Sequence, residues 1–249
     1  MSVLAAALAA VLCGLGGLLV PRLIAGLPEP DPEPQAEPDE AGGVAQPEEL
    51  KEPYAAIAAS PRLRARSALA AAAAGALVGA STGWAWSLLF LLPLVPVGVA
   101  LAVVDLRTKL LPSRIVLPAH AAVLALAGVA AAITHDGRAY VRALVAMLVV
   151  RSCFWVLWWI RTGGMGFGDV RLSALLGFTL GYLGWAQVLV GTYSSFLLFG
   201  VPGLLIALAR RDRAFLKTEF PFGPFMLVGA LLGVVAGPWV WLHLASGGV

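Results

Sequence analysis

The chain has 249 residues, of which 60% are hydrophobic and only 12% are charged, so most of it cannot form a water-soluble domain with a polar surface. Its formal net charge is only +3, and the arginines lie scattered at the ends of apolar runs, which argues against a nucleic-acid-binding protein. The composition predicts an all-α, polytopic protein embedded in a lipid bilayer.

Eight apolar runs along the chain are candidates for transmembrane helices. They cover residues 3–25, 67–83, 86–104, 115–134, 140–160, 170–182, 186–209 and 224–246. The sixth run is shorter than the roughly 20 residues that a straight span needs. We therefore expect this run to begin or end inside the protein and not at a lipid surface.

A polar segment separates the first apolar run from the second. Nine of the fourteen acidic residues lie between Glu29 and Glu52, together with many prolines, which is typical of a solvated loop. We therefore divide the chain into an N-terminal transmembrane anchor at 1–26, an acidic, proline-rich cytoplasmic loop at 27–66, and a membrane-embedded domain at 67–249.

The lysines and arginines predict the orientation of the chain. If the N-terminus lies outside, 14 of the 17 basic residues fall in inner segments and only Arg138 and Arg142 fall in outer ones. We therefore expect both termini outside. Five tryptophans then lie near the outer interface, as in an aromatic belt: Trp84, Trp86, Trp185, Trp239 and Trp241.

This topology brings two carboxylates to the same side of the membrane. Asp105 ends the third span at the inner face, and Asp169 opens the sixth span at that face after two further crossings. An ionisable group at the edge of hydrocarbon is costly, which makes both acids functional candidates. The alternative is that each is an ordinary interfacial acid or helix cap.

Asp169 follows an unusual run of glycines in the stretch GGMGFGDVRL. Gly163, Gly164, Gly166 and Gly168 each weaken a helix by roughly 1 kcal/mol. We therefore expect this stretch to be unwound, with Asp169 at the N-cap of the sixth span and room for an extended peptide beside it. Close helix packing in lipid would also explain the glycines, but it would not explain the aspartate.

Three ordered motifs resemble those of the type IV prepilin peptidases, aspartic proteases of the inner membrane with a GxGD signature. Gly164, Gly166, Gly168, Asp169 and Leu172 match the family's GxGxGDxKL run, with Arg171 where lysine is usual. Asp105, in DLRTKLLPSRIVLP, matches the other family aspartate. The run FPFGPFMLVGALLG resembles the one that opens the last span of the family. The resemblance covers about 86–246.

The resemblance implies an aspartic endopeptidase of the inner membrane that uses no metal or cofactor. Asp105 and Asp169 would be catalytic, and Gly164, Gly166 and Gly168 would form the active-site loop. The substrates would be type IV pilin or pseudopilin precursors with a short basic leader. By its charge, the acidic loop could attract that leader; the alternative is that it is only a solvated linker. Because residues 27–66 contain no cysteine, unlike the loop of the bifunctional members, we expect cleavage without N-methylation.

The helix dipole suggests how the two acids divide the work. Asp169 at a helix N-terminus is favoured as the anion, which would activate water, and Asp105 at a helix C-terminus is favoured as the neutral acid, which would protonate the scissile carbonyl oxygen. Two nearby carboxyls rarely both ionise, so we expect the pair to share one proton.

Two other functions fit parts of the pattern. A small transporter or channel could use the broken helix to hold an ion and the two acids to relay protons, and a different GxGD protease could cut other membrane anchors. Minor signals favour structural roles: Ser81 lies in a GxSxG stretch without a preceding strand, and His120, His135 and His243 share no metal-ligand spacing. We expect Arg151, within the fifth span, to face the bundle interior.

Overall fold

The computed structural model describes residues 3–29, 52–160, 166–210 and 221–245. These residues form α-helices and include no β-strand, which confirms the predicted all-α class. The helices are α1 (Val3–Gly17), α2 (Val20–Ala25), α3 (Tyr54–Ala58), α4 (Leu63–Thr82), α5 (Leu88–Thr108), α6 (Ser113–Thr134), α7 (Gly137–Ile160), α8 (Phe167–Leu183), α9 (Trp185–Arg210) and α10 (Gly223–Ala245).

Each predicted span overlaps a helix of the structure. Five helical segments are long and apolar enough to cross a membrane: Val3–Ala25, Leu88–Thr108, Ser113–Thr134, Gly137–Ile160 and Gly223–Val240. The chain is therefore a multi-pass membrane protein. The count of eight spans and the outer location of both termini stay predictions.

Helix α8 lies at the centre of the bundle. It packs against α6, α7, α9 and α10. Thirteen of its 17 residues are buried, including every residue from Leu172 to Tyr182. The burial begins in the first turn, where Asp169 is only 6% exposed. This agrees with the expectation that the short sixth run begins or ends inside the protein.

Small residues let neighbouring helices approach closely. A Cβ atom added to Gly181 of α8 would lie 2.4 Å from the Cβ of Ala146 on α7. One added to Gly75 of α4 would lie 2.6 Å from the carbonyl oxygen of Ala9 on α1. Such contacts are a common way for helices to associate in lipid, where van der Waals packing replaces the hydrophobic effect.

The tightest of these contacts joins α9 and α10, and it yields a stability prediction. A Cβ on Gly229 would lie 2.1 Å from Ser195 Oγ and 2.7 Å from the Gly191 carbonyl oxygen. We expect Gly229→Ala to lower the free energy of unfolding by about 1–3 kcal/mol, because the added methyl overfills this contact. The midpoint of denaturant-induced unfolding in detergent micelles measures the change.

Gly200→Ala on α9 is the matched control, because no atom lies within 4 Å of its added Cβ. We expect this variant to unfold at the wild-type midpoint or slightly above it, since alanine favours helix by about 1 kcal/mol over glycine. Equal midpoints for the two variants would contradict the close approach of α9 and α10.

The prediction for Arg151 is wrong. Its side chain is exposed on α7 and does not face the bundle interior. The buried side of α7 is a stripe of Ala139, Ala143, Ala146, Val150 and Phe154, which packs on α8. A residue one position beyond Val150 is rotated by about 100° from that stripe, so the packing of α7 turns Arg151 outward.

The ends of the predicted acidic loop fold onto the bundle, while residues 30–51 lie outside the described residues. The Glu29 carboxylate accepts hydrogen bonds from the backbone N–H groups of Tyr54 (2.8 Å) and Ala55 (3.0 Å). These bonds cap the short helix α3, whose side chains Tyr54 and Ile57 are buried. The last part of the 27–66 segment is therefore helical, including the first turn of α4.

Candidate active site

Asp105 lies in the last turn of α5, and its side chain is 3% exposed. Its Oδ2 atom accepts a hydrogen bond of 2.9 Å from the backbone N–H of Gly223, the first residue of α10. A buried polar group needs such a partner, because an unpaired one costs about 1–3 kcal/mol. The final described helix therefore holds the carboxylate of Asp105 in place.

Asp169 is the third residue of α8, not the N-cap as predicted. The N-cap is Gly166, whose backbone is extended (φ −71°, ψ 147°). The Gly166 N–H donates to Asp169 Oδ2 (3.2 Å), and the Asp169 N–H donates to the Gly166 carbonyl oxygen (3.0 Å). The helix begins earlier than expected because the Asp169 carboxylate reaches back to an otherwise free N–H, the contribution of the third residue in a capping box.

The glycine run is described only in part. Gly166 and Gly168 flank Phe167 at the start of α8, and Gly168 is helical. Gly163 and Gly164 lie outside the described residues, so the expectation of an unwound chain there is untested. Of the predicted loop glycines, Gly166 and Gly168 are described, and both lie close to Asp169.

Leu111 lies close to two glycines that adjoin the two acids. A Cβ added to Gly168, the residue before Asp169, would lie 2.7 Å from the Cβ of Leu111. A Cβ added to Gly223, the partner of Asp105, would lie 3.4 Å from the Cδ1 of the same leucine. The two carboxylates are close enough for the charge of Asp105 to act on Asp169. The structure therefore brings together two acids that are 64 positions apart in the chain.

Both acids accept a backbone N–H at the start of a helix. Asp169 accepts from the N-cap of its own helix, α8, and Asp105 accepts from the first residue of α10. The helix-dipole difference that was expected to separate their roles is therefore largely offset, because the positive end of α10 faces Asp105. The helix ends therefore do not decide which of the two acids would be protonated.

Arg171 connects the start of α8 to the start of α6. Its guanidinium donates a hydrogen bond to Ser113 Oγ at the start of α6. It also lies 5.0 Å from the ring centroid of Phe167, which packs edge-on against Trp158 of α7 at 5.2 Å. The residue that stands in the usual lysine position thus joins the first turns of α8 and α6 beside the acids.

Helix α3 lies against the end of α5 next to Asp105. Glu52 and Arg107 form a salt bridge of 3.0 Å. Burial and, to a smaller extent, the charge of Glu29 raise the pKa of Tyr54 above its ordinary value, whereas its hydrogen bond with Thr108 acts in the opposite direction. The Tyr54 phenol therefore stays neutral at physiological pH and contacts α5 three residues after Asp105.

Sequence analysis missed two residues of this site. Gly223 was part of a motif but received no role, and the only signal was its place between Phe222 and Pro224 at the start of a span. Leu111 precedes Pro112, which marks the turn before α6, but a leucine there carries no chemical signal. Both were hidden because their importance depends on contacts between distant parts of the chain.

The minor signals lie away from the acids. Ser81 Oγ donates to the carbonyl oxygen of Val78 one turn earlier in α4. His120 is on α6, His135 ends that helix, and His243 is near the end of α10. Among the described residues, no group of three His, Cys, Asp or Glu side chains is arranged to hold a metal ion.

Comparison with known proteins adds independent evidence on the part of the chain that contains the two acids. The model of the type IV leader peptidase family matches residues 92–208. Residues 92–208, called here the leader peptidase segment, are therefore similar to that family. The leader peptidase segment contains Asp105, Leu111 and Asp169, so it includes both acids of the site. It ends before Gly223, the backbone partner of Asp105.

Several curated proteins named prepilin leader peptidase/N-methyltransferase are similar to parts of this chain. The protein from Aeromonas hydrophila is 31% identical over 154 residues, which cover 61% of this chain and 51% of the relative. That from Xanthomonas campestris pv. campestris is 34% identical over 136 residues, 52% of this chain and 44% of the relative. The chain thus spans about half the length of the curated relatives it matches. No solved structure matches it.

Proposed function

We propose that the chain is an intramembrane aspartic endopeptidase that removes the short basic leader from type IV prepilin-like precursors at the cytoplasmic membrane face. The observation that carries this proposal is the pair of buried carboxylates, Asp105 and Asp169, which lie close enough to interact electrostatically. Both belong to the segment that matches the type IV leader peptidase family. The name of the curated relatives, prepilin leader peptidase/N-methyltransferase, supports the peptidase activity.

The chemistry needs one ionised and one protonated acid. The ionised carboxylate takes a proton from a water molecule, whose oxygen attacks the scissile carbonyl carbon while the protonated acid gives its proton to the carbonyl oxygen. The resulting diol gives one hydroxyl proton to the acid that is now ionised as its C–N bond breaks, and the leaving nitrogen receives the proton that came from water. We keep Asp169 as the first base and Asp105 as the first acid, the order suggested by the sequence, although the helix ends in the structure do not distinguish the two acids. The roles are exchanged in the second step.

The proposed substrate has two parts that suit the two environments of the protein. Its apolar helix would lie among the spans, and its basic leader would stay in the cytoplasm beside the two acids. The acidic segment from Glu29 to Glu52 would attract that leader, an effect that salt weakens. We propose cleavage without N-methylation, because residues 27–66 contain no cysteine.

A cleavage assay tests the proposed function. Purified protein in detergent micelles is mixed with a precursor that carries a basic leader and an apolar helix, and the products are resolved by mass. We expect a product shortened by the leader, and no such product from the double variant Asp105→Asn, Asp169→Asn. If the wild-type protein leaves the precursor intact, the result would favour the transporter or channel. If it cuts an unrelated signal anchor equally well, the result would favour another GxGD protease.

Gly168→Ala tests whether Leu111 sets the spacing of the two acids. The new Cβ would lie 2.7 Å from the Cβ of Leu111, so one of the two segments must move. We expect cleavage to slow by about tenfold or more, because small displacements of catalytic groups are costly. Adding Leu111→Gly removes the clashing atom and should restore part of the rate. A double variant slower than Gly168→Ala alone would contradict this.

A further inference from the structure

A groove of about 490 Å³ opens at the end of the bundle opposite to the two acids. It is lined by Gly137, Arg138, Val141, Arg142, Val145 and Trp185. Helix α7 starts at this groove, and its other end, Ile160, leads toward α8 and Asp169. We propose that this groove binds an anionic phospholipid, with the phosphate at the arginines and an acyl chain along the valines.

Arginines and valines alternate among the lining side chains of α7. Arg138, Val141, Arg142 and Val145 follow the i, i+3, i+4, i+7 spacing of a single helix face. Val145 lies about 10 Å further along the helix axis than Arg138, at 1.5 Å per residue. The groove therefore offers two guanidinium groups for an anion and two valines, called here its apolar half, for a hydrocarbon chain. A molecule that fits it carries both a negative charge and an apolar chain.

The positive charge of Arg142 is held in place without being neutralised. Its Nε donates to the Gly181 carbonyl oxygen (2.8 Å), and its Nη2 donates to that of Tyr182 (2.6 Å), both near the end of α8. These partners are neutral carbonyls, so the guanidinium still attracts an anion. Arg138 is exposed on the same face and can turn toward the same ligand. Two guanidinium groups one helical turn apart suit phosphate oxygens, which arginine binds in a bidentate manner.

The start of α7 is not itself the anion site. Asp136 Oδ1 accepts a hydrogen bond of 3.0 Å from the Ala139 N–H, so this acid caps the first turn of the helix. The proposed ligand is thus held by the arginine side chains and not by free backbone N–H groups. Two cations in the groove outnumber the single capping acid.

The groove lies at the level expected for lipid headgroups. Four exposed tryptophans occur at this end of the bundle: Trp84 and Trp86 before α5, Trp185 at the start of α9, and Trp239 near the end of α10. Tryptophans gather at the membrane–water interface. Val141 and Val145 are 59% and 44% exposed, so the apolar half of the groove faces the hydrocarbon side of that interface. This placement favours a phospholipid over a soluble phosphate compound.

Native mass spectrometry of the full-length protein in neutral detergent tests the proposal without using its peptidase activity. The protein is incubated separately with phosphatidylglycerol and phosphatidylcholine, and also with phosphatidylglycerol in the presence of excess inorganic phosphate. We expect bound phosphatidylglycerol to survive detergent removal, phosphatidylcholine to be lost, and inorganic phosphate to compete only weakly. Arg138→Gln should lower the occupancy by phosphatidylglycerol about tenfold, the effect of losing a hydrogen bond to a charged group.

Two further variants make the result decisive. Val145→Trp fills the apolar half of the groove and should also lower phosphatidylglycerol occupancy, whereas Arg66→Gln removes an exposed charge on α4 and should not. Equal occupancy in Arg138→Gln and Arg66→Gln would overturn the proposal, as would equal retention of the two lipids. Full displacement by inorganic phosphate would reduce the groove to a simple anion site, and a lipid-free dimer would show that a second copy fills it.

Discussion

Asp169→Asn should slow leader cleavage by about 10²- to 10⁴-fold, the contribution typical of a general acid or base. Asparagine keeps an oxygen that can accept the Gly166 N–H, but it cannot take a proton from water. We expect Asp105→Asn to cause a loss of similar size, because asparagine cannot give a proton to the scissile carbonyl oxygen. Single-turnover cleavage of a precursor in detergent measures both variants.

Two controls separate catalysis from folding in this experiment. The double variant should be little slower than either single one, because the two acids act as a unit. Asp136→Asn makes the same chemical change at the opposite end of α7, where asparagine also caps a helix well, and should cleave at the wild-type rate. Wild-type cleavage by either active-site variant would remove that acid from the mechanism.

Gly223→Ala should slow cleavage by about 10- to 100-fold while leaving the protein folded. The added Cβ would lie 2.7 Å from Asp105 Oδ2 and 3.2 Å from its Cγ, so the carboxylate must move away. That movement lengthens the 2.9 Å hydrogen bond from the Gly223 N–H. Asp105 becomes charged when it gives its proton to the scissile carbonyl oxygen, and the Gly223 N–H then stabilises that charge. A hydrogen bond to a charged group contributes about 1.5–3 kcal/mol, which corresponds to the expected loss of rate.

Gly128→Ala on α6 is the matched control for Gly223→Ala. Its added Cβ would meet Tyr140 Cε2 at 3.7 Å, an ordinary contact, so the rate should stay at the wild-type value. The unfolding midpoint of each variant, measured in the same detergent, shows whether either change disturbs the fold. A wild-type rate for Gly223→Ala would mean that the bond to Asp105 has no part in catalysis.

The helices were predictable from the sequence because membrane spans depend on apolar length, which one chain shows directly. Helix α3 was not, because its five residues carry no periodic pattern. Its stability comes from Glu29, 25 positions earlier, and from the burial of Tyr54 and Ile57. Interactions between a short helix and distant segments cannot be read from local composition.

The pairing of the two acids followed from counting membrane crossings, but the details of their surroundings did not. The partner of Asp105 is 118 positions away, and only the packing of α10 against α5 reveals it. The start of α8 was misplaced by a few residues because glycines suggested an unwound chain, whereas the Asp169 carboxylate stabilises the first turn. Arg151 was misjudged because the small-residue stripe of α7, not the cost of a charge in lipid, sets how that helix is rotated.

The bond between Asp105 and Gly223 has a consequence for biosynthesis. The ribosome synthesises the chain from its N-terminus. Helices α5 and α8, which carry the two acids, therefore enter the membrane before α10 does. Until α10 inserts, Asp105 lacks the amide that fixes its carboxylate. Under the proposed function, a polypeptide truncated before α10 would cleave neighbouring membrane proteins more slowly, and full activity would require the insertion of that helix.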